Sequence, residues 1–508
     1  MLIRGEFFFV SRCYNGRTSS PDFMRFSSFV RKLRKIVGPD AVLDRAEDLM
    51  LYEYDGGIQT AAPQVVAFPH TTEQVSRIVA LANEAHVPIV PRGAGTGLSG
   101  GALARQGGLV LAFARMNRIL EIDGGNQRAV VQPGVVNLDL STAAAPYGLY
   151  FAPDPSSQKS CTIGGNVANN SGGPHTLASG VTVNHVTGIE AVLPNGRVVE
   201  FGGKANEACG YDLTGFFVGS EGTLGIATKI TVKLMRLPEW VATLLAIYNS
   251  VEDAANSVVA ITAEGITPAA LELLDGWTLR TVETATHAGY PMDSGAVLLI
   301  EVEGMKEAVE EHAEAIRQVC LRKRAREVRR ARDERERHLL WAGRKNAFGA
   351  IGRISPSYYV QDGVIPRTRV PETLRHIDEV AKKYSLTIGN IFHAGDGNLH
   401  PLILFDPRDP EQTRRTLAAG KEILSYCVSV GGSITGEHGV GMEKNEIMPL
   451  LFSDDDLEVM RRLHDAFNPT SNLNPQKLFP TTRSCREIAA SPARTQAVIE
   501  GSGAGVTA

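Results

Sequence analysis

Residues 91–101 read Pro-Arg-Gly-Ala-Gly-Thr-Gly-Leu-Ser-Gly-Gly, directly after the apolar residues Val87, Ile89 and Val90. Five of the nine residues from Gly93 to Gly101 are glycine. Their missing side chains let a polyanion approach the backbone N–H groups, and Arg92 adds a fixed positive charge. The loop has the chemistry of a diphosphate cradle. In a Rossmann unit Gly-x-Gly-x-x-Gly opens a helix and an acidic residue follows about 20 residues on. Here Gly93, Gly95 and Gly97 alternate, and the chain passes through Gly107-Gly108 into the strand-like Leu109–Phe113. No Gly-Lys-Ser/Thr follows, which excludes a P-loop. Taken alone, the segment is equally compatible with a surface turn.

The chain has 508 residues, 43% of them apolar, and a net charge of -4. That length allows two to four domains, because single cores rarely grow past about 250–300 residues. The composition is that of a soluble protein, and no run approaches the ~18 apolar residues of a membrane span. Phe7–Val10 is too short for a secretory segment; Met24 is an alternative start to Met1. Six cysteines (Cys13, Cys161, Cys209, Cys320, Cys427, Cys485) are scattered without a Cys-x-x-Cys. This argues against a disulfide framework or an iron–sulfur cluster within the chain and predicts a reducing, cytoplasmic setting. The basic run Arg322–Arg337 is interrupted by Glu327, Asp333, Glu334 and Glu336, so it reads as a solvated, ion-paired surface and not as a nucleic-acid face.

Residues 1–25 are expected to be a disordered extension. Thr71-Thr72-Glu73-Gln74 resembles a capping box before the helical stripe Val75, Ile78, Val79, Ala82. Strand-like runs at 64–68 and 88–91 flank it, a β-α-β opening. Short strands then dominate, with a hairpin turning at Asn195-Gly196. Composition shifts after Leu237-Pro238, which sets a boundary near residue 238. From 239 to 480 strands alternate with long helical patterns, and 481–508 read as a disordered tail.

Two further stretches are dense in glycine and asparagine: Pro153-Asp154-Pro155-Ser156-Ser157 with Thr162–Gly173, and Phe217–Ile226. Together with 91–101 they resemble the flavin-binding half of the vanillyl-alcohol oxidase superfamily. Over residues 27–480 the resemblance is closest to its FAD-linked D-2-hydroxyacid branch, the glycolate oxidase catalytic subunits and D-lactate dehydrogenases. It implies an α+β fold: a two-subdomain, PCMH-type FAD-binding domain over 26–238, and a C-terminal α+β substrate and cap domain over 239–480 with an antiparallel sheet. It carries FAD onto Pro91, Arg92, Gly93, Ala94, Gly95, Thr96, Gly97, Leu98, Ser99 and Gly100, then onto Pro153, Asp154, Ser156 and Ser157. Thr162, Ile163, Gly164, Gly165, Asn166, Asn169, Gly172 and Gly173 follow, then Glu221, Gly225 and Ile226, and Asn474 in the closing segment. No His or Cys lies in Gly93–Gly101, so FAD is expected to be non-covalent, with Cys161 the one alternative tether. Two departures stand out: Leu177-Ala178-Ser179-Gly180, where relatives read Leu-Lys-Tyr-Gly, and Gln476, where they have glycine.

Phe392-His393-Ala394-Gly395-Asp396-Gly397-Asn398-Leu399-His400-Pro401 can be read from the residues alone. If Asp396-Gly397 is a two-residue turn, His393 faces His400 on one side of the hairpin, with Cβ atoms about 4.5–5.5 Å apart. That arrangement suits a divalent metal; two unrelated histidines beside a turn is the alternative. Glu437 and His438 are adjacent, and on a strand they would point opposite ways, one to metal and one to substrate. The resemblance assigns His393, His400 and Glu437 to the metal, expected to be Zn or Mn, and His438 to the base. It matches Arg344, in Trp341-Ala342-Gly343-Arg344, to a bidentate substrate clamp.

The implied reaction is oxidation of a small D-2-hydroxyacid, glycolate or D-lactate. A metal lowers the hydroxyl pKa, His438 takes the proton and flavin N5 the hydride. Relatives that oxidise D-2-hydroxyglutarate use a Lys and an Asn where this chain has Val360 and Leu402, which favours a small monocarboxylate. An alkyl-transferase or a non-catalytic FAD subunit are the other readings. The implied partners are a second FAD-like subunit and an iron–sulfur subunit, in a complex peripheral to the cytoplasmic membrane face.

Overall fold

The computed structural model describes residues 21–205 and 210–481. Most of the expected extension and tail therefore lies outside the described residues, but their inner ends are ordered. The first helix, Pro21–Val37, starts before Phe26 because its buried face of Phe29, Val30, Leu33 and Val37 packs on the helix Thr72–Ala85. At the other end, Thr481 donates its N–H to Glu446 at 2.9 Å.

The opening β-α-β unit is present, with one change of order. Val65–Ala67 and Ile89–Arg92 both run parallel to Leu109–Ala112, which inserts between them in a four-stranded sheet completed by Val42–Leu43. Thr71 caps the intervening helix by accepting the Gln74 N–H at 3.3 Å. Gln74 reaches one residue further back than a reciprocal box requires and accepts the His70 N–H at 2.7 Å. His86, in the left-handed region, stops the helix.

Because Leu109–Ala112 takes the inner place, Ile89–Arg92 has a free edge, and unpaired edges need cover. The closing segment supplies it: Ile89 donates to the Asn472 carbonyl at 2.9 Å and accepts from the Asn474 N–H at 2.7 Å. Within that segment Gln476 has φ 62, a conformation that costs a side-chain-bearing residue about 1–2 kcal/mol. Gln476→Gly is expected to stabilise the protein by about 1 kcal/mol after the glycine's own entropy cost, read as a higher midpoint of denaturant unfolding.

A five-stranded antiparallel sheet follows, in the order Ile119–Asp123, Arg128–Val131, Ile226–Lys233, Val186–Val192, Val198–Gly202. Its last hairpin turns at Asn195-Gly196, with Gly196 at φ 82. Past Met235–Arg236, which pairs with Leu149–Tyr150, the chain enters a seven-stranded antiparallel sheet. The order there is Glu327–Arg330, Trp240–Tyr248, Ala296–Gly304, Ala270–Asp275, Thr387–His393, Pro401–Phe405, Ser357–Val360.

Both faces of the large sheet are covered. Leu244, Ala246 and Tyr248 join a core with the helices Val251–Ala263, Lys306–Arg322, Val370–Tyr384 and Pro410–Ser429. The alternate residues Leu245 and Ile247 join Leu279, Val282, Leu340 and Trp341 on the other face. By the same two-residue alternation Glu272, His393 and His400 belong to this second face. Each lies two residues from one of Ala270, Leu274, Ile391 and Leu402 along the chain.

The basic run starts at the end of the helix Lys306–Arg322, passes through the sheet's edge strand and carries ion pairs: Arg326 with Asp293, Arg330 with Glu310, Arg332 with Glu336. Exposed pairs of this kind contribute about 0.2–1 kcal/mol each.

Candidate functional site

The three glycine-rich stretches and the histidine cluster meet in one cavity of about 390 Å³. One wall is Pro91–Leu98, a second Pro155–Ser157, Cys161, Thr162 and Gly164–Asn169, and a third Ser220–Gly222 with Gly225–Ala227. The remaining wall is Arg344, Lys345, Phe348, Tyr358, His393, His400, Glu437 and His438.

The first two walls touch through Gly93, where a Cβ would lie 2.5 Å from the Thr162 hydroxyl. At Gly95, φ 72, a Cβ would fall inside the Arg92 guanidinium. Arg92 is folded beneath its own loop, donating to the Tyr54 carbonyl at 2.8 Å and packing on the Tyr52 ring. Its Nη1 is buried without a protein partner. Exposed backbone over a buried, unsatisfied guanidinium nitrogen fits the phosphates of a dinucleotide cofactor.

Eight of the expected cofactor residues do not line the cavity; they hold its walls from behind. Ser99 donates to the His438 carbonyl at 2.9 Å, and Gly100 sits against Met442. The Pro153 carbonyl accepts from Asn137, and Asp154 is ion-paired to His175. Ile163 is fully buried in core, and Gly173 packs on the Asp154 backbone with Gly172 beside it. Asn474 donates to the carbonyls of Gly101 at 3.0 Å and Glu221 at 2.6 Å, tying two walls together. A glycine or amide in a Gly-rich stretch carries no signal about which side of the loop it will face.

The histidine hairpin is four residues wide, not two: His393 bridges Asn398, and the strand register places Ile391 opposite His400. A slip of two residues keeps every side chain on its face. The two imidazoles therefore still converge, with ring centroids 5.1 Å apart at 90°. Their Nε2 atoms lie 3.4 Å (His393) and 3.2 Å (His400) from the Glu437 Oε1.

The other ring nitrogens are committed. His393 Nδ1 meets the Glu272 carboxylate at 2.8 Å and His400 Nδ1 the Gln361 carbonyl at 3.2 Å. Both acceptors take an Nδ1–H, so each ring turns its Nε2 toward the same carboxylate oxygen. The arrangement accommodates a proton on His393 Nε2 or, in its place, a divalent cation between the three atoms, whose binding would displace that proton. Burial works against charge on Glu437 and on His393, but the attraction between them and from His400 and Glu272 prevails. Glu437 is held well below the usual carboxylate range, and His393 is held up at about 10.

A second group of possible ligands, Asp362, His400 and His438, also lies within reach of one ion. Asp362 is already saturated, accepting from the N–H groups of Gly436, Glu437 and His438, from Asn398, and from Lys444 Nζ at 3.1 Å. It is an anchor, and it replaces the strand geometry considered for Glu437 and His438 with a loop. Three successive N–H groups curl round one carboxylate, so Glu437 and His438 point into the same cavity. His438 stacks on His400 at 5.0 Å, with Nε2 3.9 Å from Glu437 Oε1. Its carbonyl is fixed by Ser99 and by Asn169 Nδ2 at 2.8 Å. Burial, opposed by Asp362 and reinforced by His400 and Lys444, holds His438 down at about 4, so its ring is unprotonated at neutral pH.

Arg344 is only 1% exposed. Glu272 occupies its Nε–Nη2 edge at 2.6 Å, leaving Nη1 buried without a partner in the cavity wall. Only the end of the fork that carries Nη1 is left open to an anion entering the cavity. Glu272 thus serves both Arg344 and His393. Its signal in the sequence was an acid inside the apolar run Ala269-Ala270-Leu271-Glu272-Leu273-Leu274. Val360 and Leu402 are cross-strand partners in the core and do not line the cavity themselves. Leu177, at the altered Leu-Ala-Ser-Gly segment, packs on Gly395 of the histidine hairpin. Among the described residues no helix is long and apolar enough to cross a membrane.

Residues 237–478 match the family "FAD linked oxidases, C-terminal domain", and residues 63–202 match "FAD binding domain". "Glycolate oxidase subunit GlcD" of Escherichia coli (strain K12) is 46% identical over 92% of this chain and 94% of its own length. The protein of the same name from Bacillus subtilis (strain 168) is 43% identical over 90% and 98%. "D-lactate dehydrogenase [cytochrome], mitochondrial" of Arabidopsis thaliana is 32% identical over 82% and 74%. Among solved structures, p-cresol methylhydroxylase superposes with a TM-score of 0.77 at 19% identity, covering 90% of this chain and 98% of that one. Alkyldihydroxyacetonephosphate synthase gives 0.70, also at 19%, over 89% and 85%. At these identities the likeness is one of fold alone.

Proposed function

From the premise that the chain belongs to the FAD-linked oxidases and is an FAD-dependent oxidoreductase of the vanillyl-alcohol oxidase fold, we propose that it oxidises a small D-2-hydroxyacid, glycolate or D-lactate. The observation that carries this reading is the single cavity shared by the glycine-rich walls and by His393, His400, Glu437 and His438. FAD supplies a hydride acceptor when bound, and a divalent ion on His393, His400 and Glu437, Zn or Mn by its two-nitrogen, one-oxygen donor set, would acidify a hydroxyl.

The chain's own residues do the rest. His438, unprotonated and fixed through its backbone, receives the hydroxyl proton at a ring nitrogen. Arg344 Nη1 meets the substrate carboxylate, with Glu272 holding the guanidinium in place. Phe348 and Tyr358 form apolar wall beside it and limit water. Val360 and Leu402, where relatives that oxidise a diacid carry a Lys and an Asn, are apolar and packed in the core, which favours a monocarboxylate over a diacid. Glycolate and D-lactate differ by one methyl, worth about 1–3 kcal/mol in a pocket.

The relatives at 46% and 43% identity are named as subunits. We extend this to a second FAD-like subunit and an iron–sulfur subunit that carry electrons onward at the cytoplasmic membrane face. The test is anaerobic mixing of the purified holoprotein with glycolate, D-lactate, L-lactate and D-2-hydroxyglutarate while the flavin absorbance is followed. Bleaching by glycolate or D-lactate at least tenfold faster than by the other two is expected, and no bleaching by any of them defeats the proposal. Reoxidation of the bleached flavin should be slow with soluble quinone alone and fast once membranes from the source cells are added; equal rates would remove the need for partners.

A further inference from the structure

Arg344 has a neighbour with the opposite problem. Lys345, the last residue of the helix Glu334–Lys345, also lines the cavity, with its side chain 30% exposed. Its nearest carboxylate oxygen is Asp154 Oδ2 at 3.5 Å, longer than a charge-assisted hydrogen bond of about 2.7–2.9 Å. Asp154 is otherwise engaged: Oδ2 with His175 Nδ1 at 2.9 Å and Oδ1 with the His175 N–H at 3.3 Å. The second nitrogen of His175 faces Glu301 Oε1 at 3.3 Å. With a carboxylate at each nitrogen the ring must donate from both, so His175 is an imidazolium and already balances Asp154. Glu301, fully buried, also takes Arg337 through two nitrogens at 2.9 Å and Trp341 Nε1 at 2.7 Å. Arg337 and Trp341 belong to the helix that ends in Arg344 and Lys345, so this relay seats that helix against the cofactor half and leaves its terminal lysine with only the long Asp154 contact and the Trp341 ring, 5.8 Å from its Nζ.

We propose that Lys345 is a second anion contact of the site, beside Arg344, for the carboxylate oxygen that Arg344 does not take, and that the buried Asp154–His175–Glu301–Arg337 relay leaves it free for this task. The assignment rests on the hydroxyacid reading above. A carboxylate offers two oxygens, and the partnerless Arg344 Nη1 and the loosely held Lys345 ammonium are consecutive cationic groups in one wall. His175 and Glu301 are positioning residues, acting through the helix.

The experiment compares Lys345→Met, Lys345→Arg and His175→Gln holoenzymes with the wild type. Ligand binding is read by perturbation of the flavin spectrum with methoxyacetate, which has no hydroxyl proton to lose, and with its neutral counterpart methoxyacetamide. KM for the oxidised hydroxyacid is measured alongside. Lys345→Met is expected to weaken methoxyacetate about 10- to 100-fold and to raise KM by more than it lowers kcat, with methoxyacetamide within twofold. Lys345→Arg should recover most of the loss. His175→Gln, which frees Asp154 to capture Lys345, should weaken the anion about fivefold and spare the amide. Equal loss for both ligands, loss of FAD, or unchanged methoxyacetate binding each overturns the assignment. If wild-type flavin is bleached by no hydroxyacid, the functional reading fails; if it is bleached and Lys345→Met binds methoxyacetate normally, only the role of Lys345 fails.

Discussion

His438→Asn is expected to slow reduction of the flavin by the hydroxyacid about 10²- to 10⁴-fold, the range for a lost general base, with FAD still bound. The local contacts make this a clean test. The hydrogen bonds that fix residue 438 are main-chain: its N–H donates to Asp362, and its carbonyl accepts from Ser99 and Asn169. The ring Nδ1 is buried without a partner, so asparagine can replace the side chain without unhooking the loop.

The pH profile carries the sign. Held at about 4, His438 is in its base form above that pH and is lost as a base as pH falls through it. Wild-type reduction should fall on the acid side near pH 4, and the His438→Asn protein should lack that limb. Stability follows the same direction: a histidine depressed from 6.5 to about 4 stabilises the fold above its unfolded pKa and less as pH falls through the folded one. The variant should therefore be the less acid-sensitive of the two. Stopped-flow absorbance in a pH series checks both rate and profile; loss of FAD, or an unchanged rate, would assign the base elsewhere.

How far the site could be read from the sequence follows from how local each determinant is. Backbone access is written into composition, so the cradle at 91–98 was legible from its glycines. Which residues of that loop turn inward was not, because Ser99 is turned by a contact to His438, 339 residues away. The facing of His393 and His400 survived a wrong turn length because the side-chain period of a strand is two. The strand geometry considered for Glu437 and His438 does not form because Asp362, 75 and 76 residues earlier in the chain, gathers their N–H groups. Glu272 was visible as an anomaly in an apolar strand, but its partners Arg344 and His393 lie 72 and 121 residues away. The fold class came with the resemblance carried by the three glycine-rich stretches and the histidine motif. The insertion of Leu109–Ala112 between the strands of the opening unit was not legible, since no local pattern ranks parallel neighbours.

Exhaustive dialysis against a chelator is expected to remove one divalent ion per chain, measured by plasma mass spectrometry. Hydroxyacid oxidation should then fall about 10³-fold, corresponding to about 4 kcal/mol, and return on adding Zn²⁺ or Mn²⁺. The geometry predicts two kinds of mutant. His400→Ala or Glu437→Ala deletes a ligand atom, and excess metal should not rescue either. Glu272→Gln leaves all three ligand atoms in place but removes the anion that fixes the His393 tautomer, for which a 10- to 100-fold loss of metal affinity is expected. Saturating metal should restore its kcat. It should not restore KM, because the same carboxylate oxygen that meets Arg344 Nε and Nη2 at 2.6 Å is gone as a charge. The guanidinium is then free to tilt away from the substrate's carboxylate. Rescue of kcat without rescue of KM is the signature of one carboxylate that serves metal and substrate at once. If excess metal restored both, Arg344 would be held by something other than Glu272, and the coupling of the two halves of the site would be refuted.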